Sequence, residues 1–203
     1  MKSRILAAAV LFWVLLAPAS MPAQSRGTTS PHLAAVINLE NLLSGEKTAS
    51  VEVGGGVTLK LATGQGMMRQ NLTILAEGRP LKQLEGGRFI ACTRLEEGPA
   101  TYWGISEYTG GAHCCGKYVF LARAAAGQPV RYLGQTRGYN GGPRDFPGLF
   151  HYRQGQLYFE SYDNRFDYFH ASHADCLLVN VPRIYYHLTP TGLQIDNLPF
   201  KEV

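Results

Sequence analysis

Two clusters of residues carry side chains that could do chemistry. His113, Cys114 and Cys115 lie together in the string Thr109-Gly110-Gly111-Ala112-His113-Cys114-Cys115-Gly116, and His170, His173 and Cys176 follow at three-residue intervals. Imidazole nitrogens and a thiolate at that spacing meet on one helical turn, and the donor set suits zinc or copper. On a strand His170 and His173 would face opposite ways, and an oxidising compartment pairs cysteines rather than leaving them as thiolates. Each histidine would then donate a hydrogen bond inside a buried polar cluster, with no metal and no other cofactor. Ser172, His173 and Asp175 supply a nucleophile, a base and an orienter within four positions. Sequence neighbours seldom face one another as a triad requires, and the chain has no Gly-x-Ser-x-Gly elbow. A thiol or metal site and a small hydrolase are thus the alternatives to a non-catalytic reading.

A third feature is a surface rather than a cluster. From Lys117 to Arg153 there are six basic residues against the single acid Asp145, interleaved with aromatic side chains. Arg137, Tyr139, Arg144, Phe146, Tyr152 and Arg153 form a candidate ligand surface, since cations neutralise anionic groups and aromatic faces stack on sugar rings. The plainer alternative is a solvated β face on which arginine stems cover aromatic rings.

These residues need a scaffold, and its period is two for most of the chain. Val57, Leu59 and Leu61 alternate with Thr58 and Lys60, and Leu72 and Ile74 with Asn71 and Thr73, as in half-buried strands. Tyr118 to Ala122 is apolar on both faces and reads as a central strand. Glu77-Gly78, Gly86-Gly87, Gln154-Gly155 and Thr191-Gly192 mark hairpin turns, with Phe150 to Tyr152 and Leu157 to Phe159 flanking the third. Residues 134–148 hold five glycines and two prolines and read as a long surface loop. The exception to the period is Ser30-Pro31 followed by Leu33, Val36, Ile37 and Leu43 and closed by Gly45, which predicts a short N-terminal helix. The expected fold is all-β, an antiparallel meander of about ten strands arranged as propeller-like blades or a sandwich, with that one helix.

The N-terminus bears on location. Lys2 and Arg4 precede an apolar run from Ile5 to Ala17, and small residues follow, so residues 1–23 read as a signal peptide cleaved after Ala19 or Ala23. Thirteen apolar residues before Pro18 fall short of the roughly 20 that a membrane span needs. No cysteine follows the run for lipid attachment. Residues 24–49 then form a polar segment with the short helix, and 50–203 a single β domain. Export makes the protein periplasmic or secreted and argues against nucleic acid as a partner, leaving an extracytoplasmic ligand or protein. Of 203 residues, 45% are hydrophobic, and removing Lys2 and Arg4 lowers the formal charge from +4 to +2, which by itself implies no polyanionic partner. Four cysteines, Cys92, Cys114, Cys115 and Cys176, are expected to pair, and three pairings are open.

The Gly-Gly-Ala-His-Cys-Cys string, together with Asp163-Asn164-Arg165-Phe166-Asp167-Tyr168 and Pro182 downstream, resembles a group of uncharacterised exported bacterial proteins with propeller-like repeats. The resemblance covers about residues 88 to 195. It implies an exported β fold and a vicinal Cys114-Cys115 disulfide, with Cys92 and Cys176 as the second bond. Gly110, Gly111, His113, Asp163, Arg165, Phe166 and Tyr168 are its motif positions, to which structural roles are assigned, with the two motifs side by side. Longer members carry Asp-rich turns suited to calcium. Here those places read Leu95-Glu96-Glu97-Gly98-Pro99 and Tyr152-Arg153-Gln154-Gly155-Gln156, so no calcium is expected. The group brings no activity with it.

Overall fold

The computed structural model describes residues 32–66, 69–109, 116–138, 143–162 and 183–201. The chain opens with β1 (His32–Asn38) and then builds a four-stranded meander from β2 (Thr48–Glu52), β3 (Val57–Thr63), β4 (Gln70–Ala76) and β5 (Arg79–Gly86). It returns to pair β6 (Arg88–Glu97) with β1 and continues through β7 (Ala100–Tyr108), β8 (Gly116–Arg123) and β9 (Arg131–Gly138). A 3₁₀ segment, Pro143–Leu149, leads to a second four-stranded meander of β10 (Phe150–Arg153), β11 (Gln156–Tyr162), β12 (Arg183–Thr189) and β13 (Gly192–Ile195). The protein is therefore all-β, and its described residues form three antiparallel sheets with no closed barrel among them and thirteen strands rather than about ten.

The five-stranded sheet β1-β6-β7-β8-β9 lies between the other two. One of its faces sends Cys92, Trp103, Ile105, Val119 and Leu121 into a core with Val57, Leu59, Leu61, Leu72 and Ile74 of the first meander. The opposite face sends Ala91, Tyr102, Tyr118 and Phe120 against Leu157, Phe159 and Leu188 of the second. Tyr118 to Ala122 is buried throughout, as expected of a central strand, because each face of β8 meets a different sheet. The alternation expected of 57–61 is present, with Val57, Leu59 and Leu61 buried and Lys60 exposed. Two of the predicted turns take the left-handed pair of backbone angles that matches strand twist: Glu77 and Gly78 at φ 52° and 77°, and Gln154 and Gly155 at φ 53° and 76°.

The expected N-terminal helix is absent. Residues 32–38 pair with β6 as an edge strand, and residues 39–46 form consecutive four-residue turns, Leu42 N–H to Leu39 C=O and Ser44 N–H to Asn41 C=O among them. A bulge between Leu33 and Ala35 breaks the alternation, so the apolar spacing imitates a helix. Adjacent β-branched Val36 and Ile37 favour the strand, and β1 supplies partners for the backbone edge of β6 that would otherwise be left open. Residues 32–38 thereby belong to the five-stranded sheet.

The predicted loop at 134–148 is also corrected. Its first part belongs to β9 and its last part is the 3₁₀ segment, from which Phe146 inserts between the sheets. Gly86-Gly87 is a junction between sheets: β5 ends the first meander at Gly86 and β6 begins the central sheet at Arg88.

Candidate functional site

Most of the residues singled out for chemistry lie outside the described set: Gly110, Gly111, His113, Cys114 and Cys115, and Asp163, Arg165, Phe166, Tyr168, His170, Ser172, His173, Asp175 and Cys176. The expected proximity of the two motif segments lies outside it as well. Cys92 is described, and it is a free thiol in the core between the central sheet and the first meander; its expected partner Cys176 lies outside the described residues. Strand register aims Cys92 at that core, and burial pushes its pKa up to about 12, so the thiol stays protonated. Among the described residues no three His, Cys, Asp or Glu side chains are grouped to hold a metal.

The predicted ligand surface is divided. Phe146 is fully buried, stacked on Tyr118 with ring centroids 5.2 Å apart and planes within 8°, so it is a core residue and not a ligand contact. Arg137 is in β9 and Arg144 in the 3₁₀ segment, while Tyr139 is outside the described residues. Tyr152 is half-buried on β10, paired with Leu157, whose side chain enters the core. Arg153, one residue on, is exposed on the opposite side.

That opposite side, the outer face of the second meander, holds a connected set of polar and aromatic groups. Cross-strand register builds it: His151 pairs with Tyr158, Tyr158 with His187, and Glu160 with Tyr185, so these side chains share one face. At its centre is Glu160, a carboxylate only 5% exposed. Its Oε2 lies 2.8 Å from His151 Nε2, its Oε1 lies 3.3 Å from Arg183 Nη1, and the Tyr185 hydroxyl donates to it. Burial alone would raise the Glu160 pKa, but the His151 contact, the Arg183 charge and the Tyr185 hydrogen bond outweigh it, and the carboxyl is held below its ordinary 4.5.

Residues 196–201 fold back over this face. Phe200 stacks on Tyr185 at 3.5 Å between centroids and 2° between planes, and it meets Tyr158 edge-on at 5.1 Å. Asp196 anchors the return, accepting from the Leu198 N–H at 3.0 Å and the Tyr158 hydroxyl at 3.3 Å. Arg153 closes the arrangement with its guanidinium 4.8 Å above the Phe200 ring and Nη1 donating to Pro199 C=O at 3.3 Å. His187 stacks on Tyr158 at 5.1 Å, and burial lowers its pKa against the opposing pull of Asp196. Sequence reading reached this face only at Arg153. The available signal was the alternation Arg183, Tyr185, His187, which puts three ring or cationic side chains on one side of a strand.

The Glu160 arrangement predicts a pH response. A carboxyl with a lowered folded pKa contributes stability above the unfolded value near 4.5, and that contribution is lost as pH falls through the folded pKa. Glu160→Gln should therefore have a lower urea midpoint than wild type at about pH 7, with the gap narrowing at about pH 3. A gap of the same size at both values would show that the charge of Glu160 contributes nothing to stability. No family model, curated protein or solved structure matches the chain.

Proposed function

We propose that the protein is an exported, non-catalytic binding module that takes an acidic, glycan-like extracytoplasmic ligand on the outer face of its second meander. The observation that carries this reading is the fixed presentation of Arg153 and Arg183. Arg153 is tied to Phe200 and Pro199, Arg183 to the buried Glu160, and the Arg183 side chain is still 56% exposed. Cations already held by the fold lose less side-chain entropy when they bind. Half-buried His151 adds a third nitrogen-bearing group beside them. Export rests on Lys2, Arg4 and the Ile5 to Ala17 run.

Oligogalacturonate immobilised on a column is a suitable probe. The mature protein should be retained at low salt, and a double variant, Arg153→Glu with Arg183→Glu, should elute early while its far-UV spectrum is unchanged. Retention of the double variant equal to that of wild type would sink the assignment of this face.

A further inference from the structure

At the far end of the first meander is a cavity of about 250 Å³ lined by Leu43, Thr63, Gly66, Arg69, Gln70 and Arg88. Its polar side chains are two guanidiniums, the Gln70 amide and the Thr63 hydroxyl, so donors outnumber acceptors. Gln70 Oε1 accepts the Phe89 N–H at 2.9 Å, which turns the amide nitrogen, with its two N–H groups, to the other side. The Thr63 hydroxyl donates to Lys47 C=O at 3.4 Å. Arg88 is held by Glu40, with Nη1 3.3 Å from the carboxylate, and it remains only partly covered. Arg69 has no acidic partner among the described residues, so the two guanidiniums and Glu40 leave one positive charge in excess. The one large apolar group on the wall is Leu43, which packs against the first core and is fixed in place.

We propose that this cavity binds a small carboxylate carrying a short apolar group, with the carboxylate on Arg69 and the Gln70 amide and the apolar group on Leu43. The planar guanidinium fork of Arg69 matches the two carboxylate oxygens. Arg88, already neutralised by Glu40, supplies a rim contact and sets the orientation. The source of the carboxylate is either a free small acid or the C-terminus of a peptide. This site is separate from the face bearing Arg153 and Arg183, on a different sheet, and does not depend on it.

The test is a titration of the mature protein with butyrate, acetate, inorganic phosphate and an N-acetylated dipeptide ending in valine, followed by NMR shifts of the side-chain N–H groups. Butyrate should saturate with a Kd on the order of millimolar, tighter than acetate or phosphate. Arg69→Gln should weaken it roughly tenfold or more. Gln70→Glu keeps the acceptor for the Phe89 N–H and removes the donors, and it should weaken butyrate similarly with the melting temperature little changed. Arg153→Glu with Arg183→Glu should leave butyrate binding as it is. Dipeptide binding tighter than butyrate identifies a chain terminus as the source, and weaker binding identifies a free acid; either fits the proposal. Phosphate binding tighter than butyrate, no saturation by either carboxylate, or unchanged affinity in both Arg69→Gln and Gln70→Glu would overturn it.

Discussion

Phe159→Ala is expected to cost about 3–5 kcal/mol of stability, the range for truncating a fully buried aromatic side chain. Phe159 is 0% exposed and sits where the central sheet meets the second meander. Its ring lies 4.7 Å from Tyr118, 4.8 Å from Phe120 and 5.2 Å from Phe150, all in tilted or edge-on geometries that favour aromatic pairs. Truncation removes these three pairs and a fourth with Phe146 at 6.0 Å, and opens a cavity whose other walls are rings already locked together. Phe159→Leu keeps most of the apolar volume and should cost about 1–2 kcal/mol. Urea unfolding of both variants measures the difference. A loss below about 1 kcal/mol for the alanine variant would mean that the rings close over the gap.

The second large effect is expected at Gly55. Gly54, Gly55 and Gly56 join β2 to β3 with φ of 82°, 60° and 70°, a left-handed run that side chains other than glycine rarely adopt. A Cβ on Gly55 would come 2.7 Å from Trp103 Cζ2, and the indole is fully buried and has nowhere to move. Gly55→Ala thus adds an overpacking penalty to the backbone penalty, about 2–5 kcal/mol together. Gly45→Ala is the comparison, because Gly45 has φ 82° but nothing within 4 Å of its added Cβ. It should show the backbone penalty alone, about 1–2 kcal/mol. Equal melting temperatures for the two variants would remove the Trp103 contact from the explanation.

The strands were legible in the sequence wherever burial is one-sided or complete. β3 alternates cleanly, β4 alternates up to the bulge at Ile74 and Leu75, and β8 is apolar on both sides because it lies in the middle layer. The hairpin turns were legible from Glu77-Gly78 and Gln154-Gly155, since few residue pairs accept two consecutive positive φ values. The N-terminal helix was a misreading of β1, whose bulge breaks the two-residue period and whose exposed Leu33 and Val36 blur the contrast between faces. Phe146 read as surface because glycine and proline surround it, yet a 3₁₀ turn can aim one aromatic ring inward while its backbone stays outside. The Glu160 cluster was not legible, because Arg183 and Tyr185 join it from β12, and sequence spacing does not give the register of that strand against β11, from which twenty residues of chain separate it. The Gly54-Gly55-Gly56 run was visible, but its reason, the indole beneath it, comes from another sheet.

The central sheet also limits how this chain can be divided. Each of its faces is apolar and each is covered by a different meander, so removing residues 48–86 or 143–201 would uncover a whole hydrophobic surface rather than a rim. Soluble monomers rarely tolerate so large an apolar patch, and the uncovered face would drive self-association. The first meander is also an insertion: β1 and β6 are adjacent in space, with forty-nine residues of chain between them. Homologous proteins could therefore vary this excursion in length, or shorten its hairpins, while keeping its inward face, but they could not dispense with it.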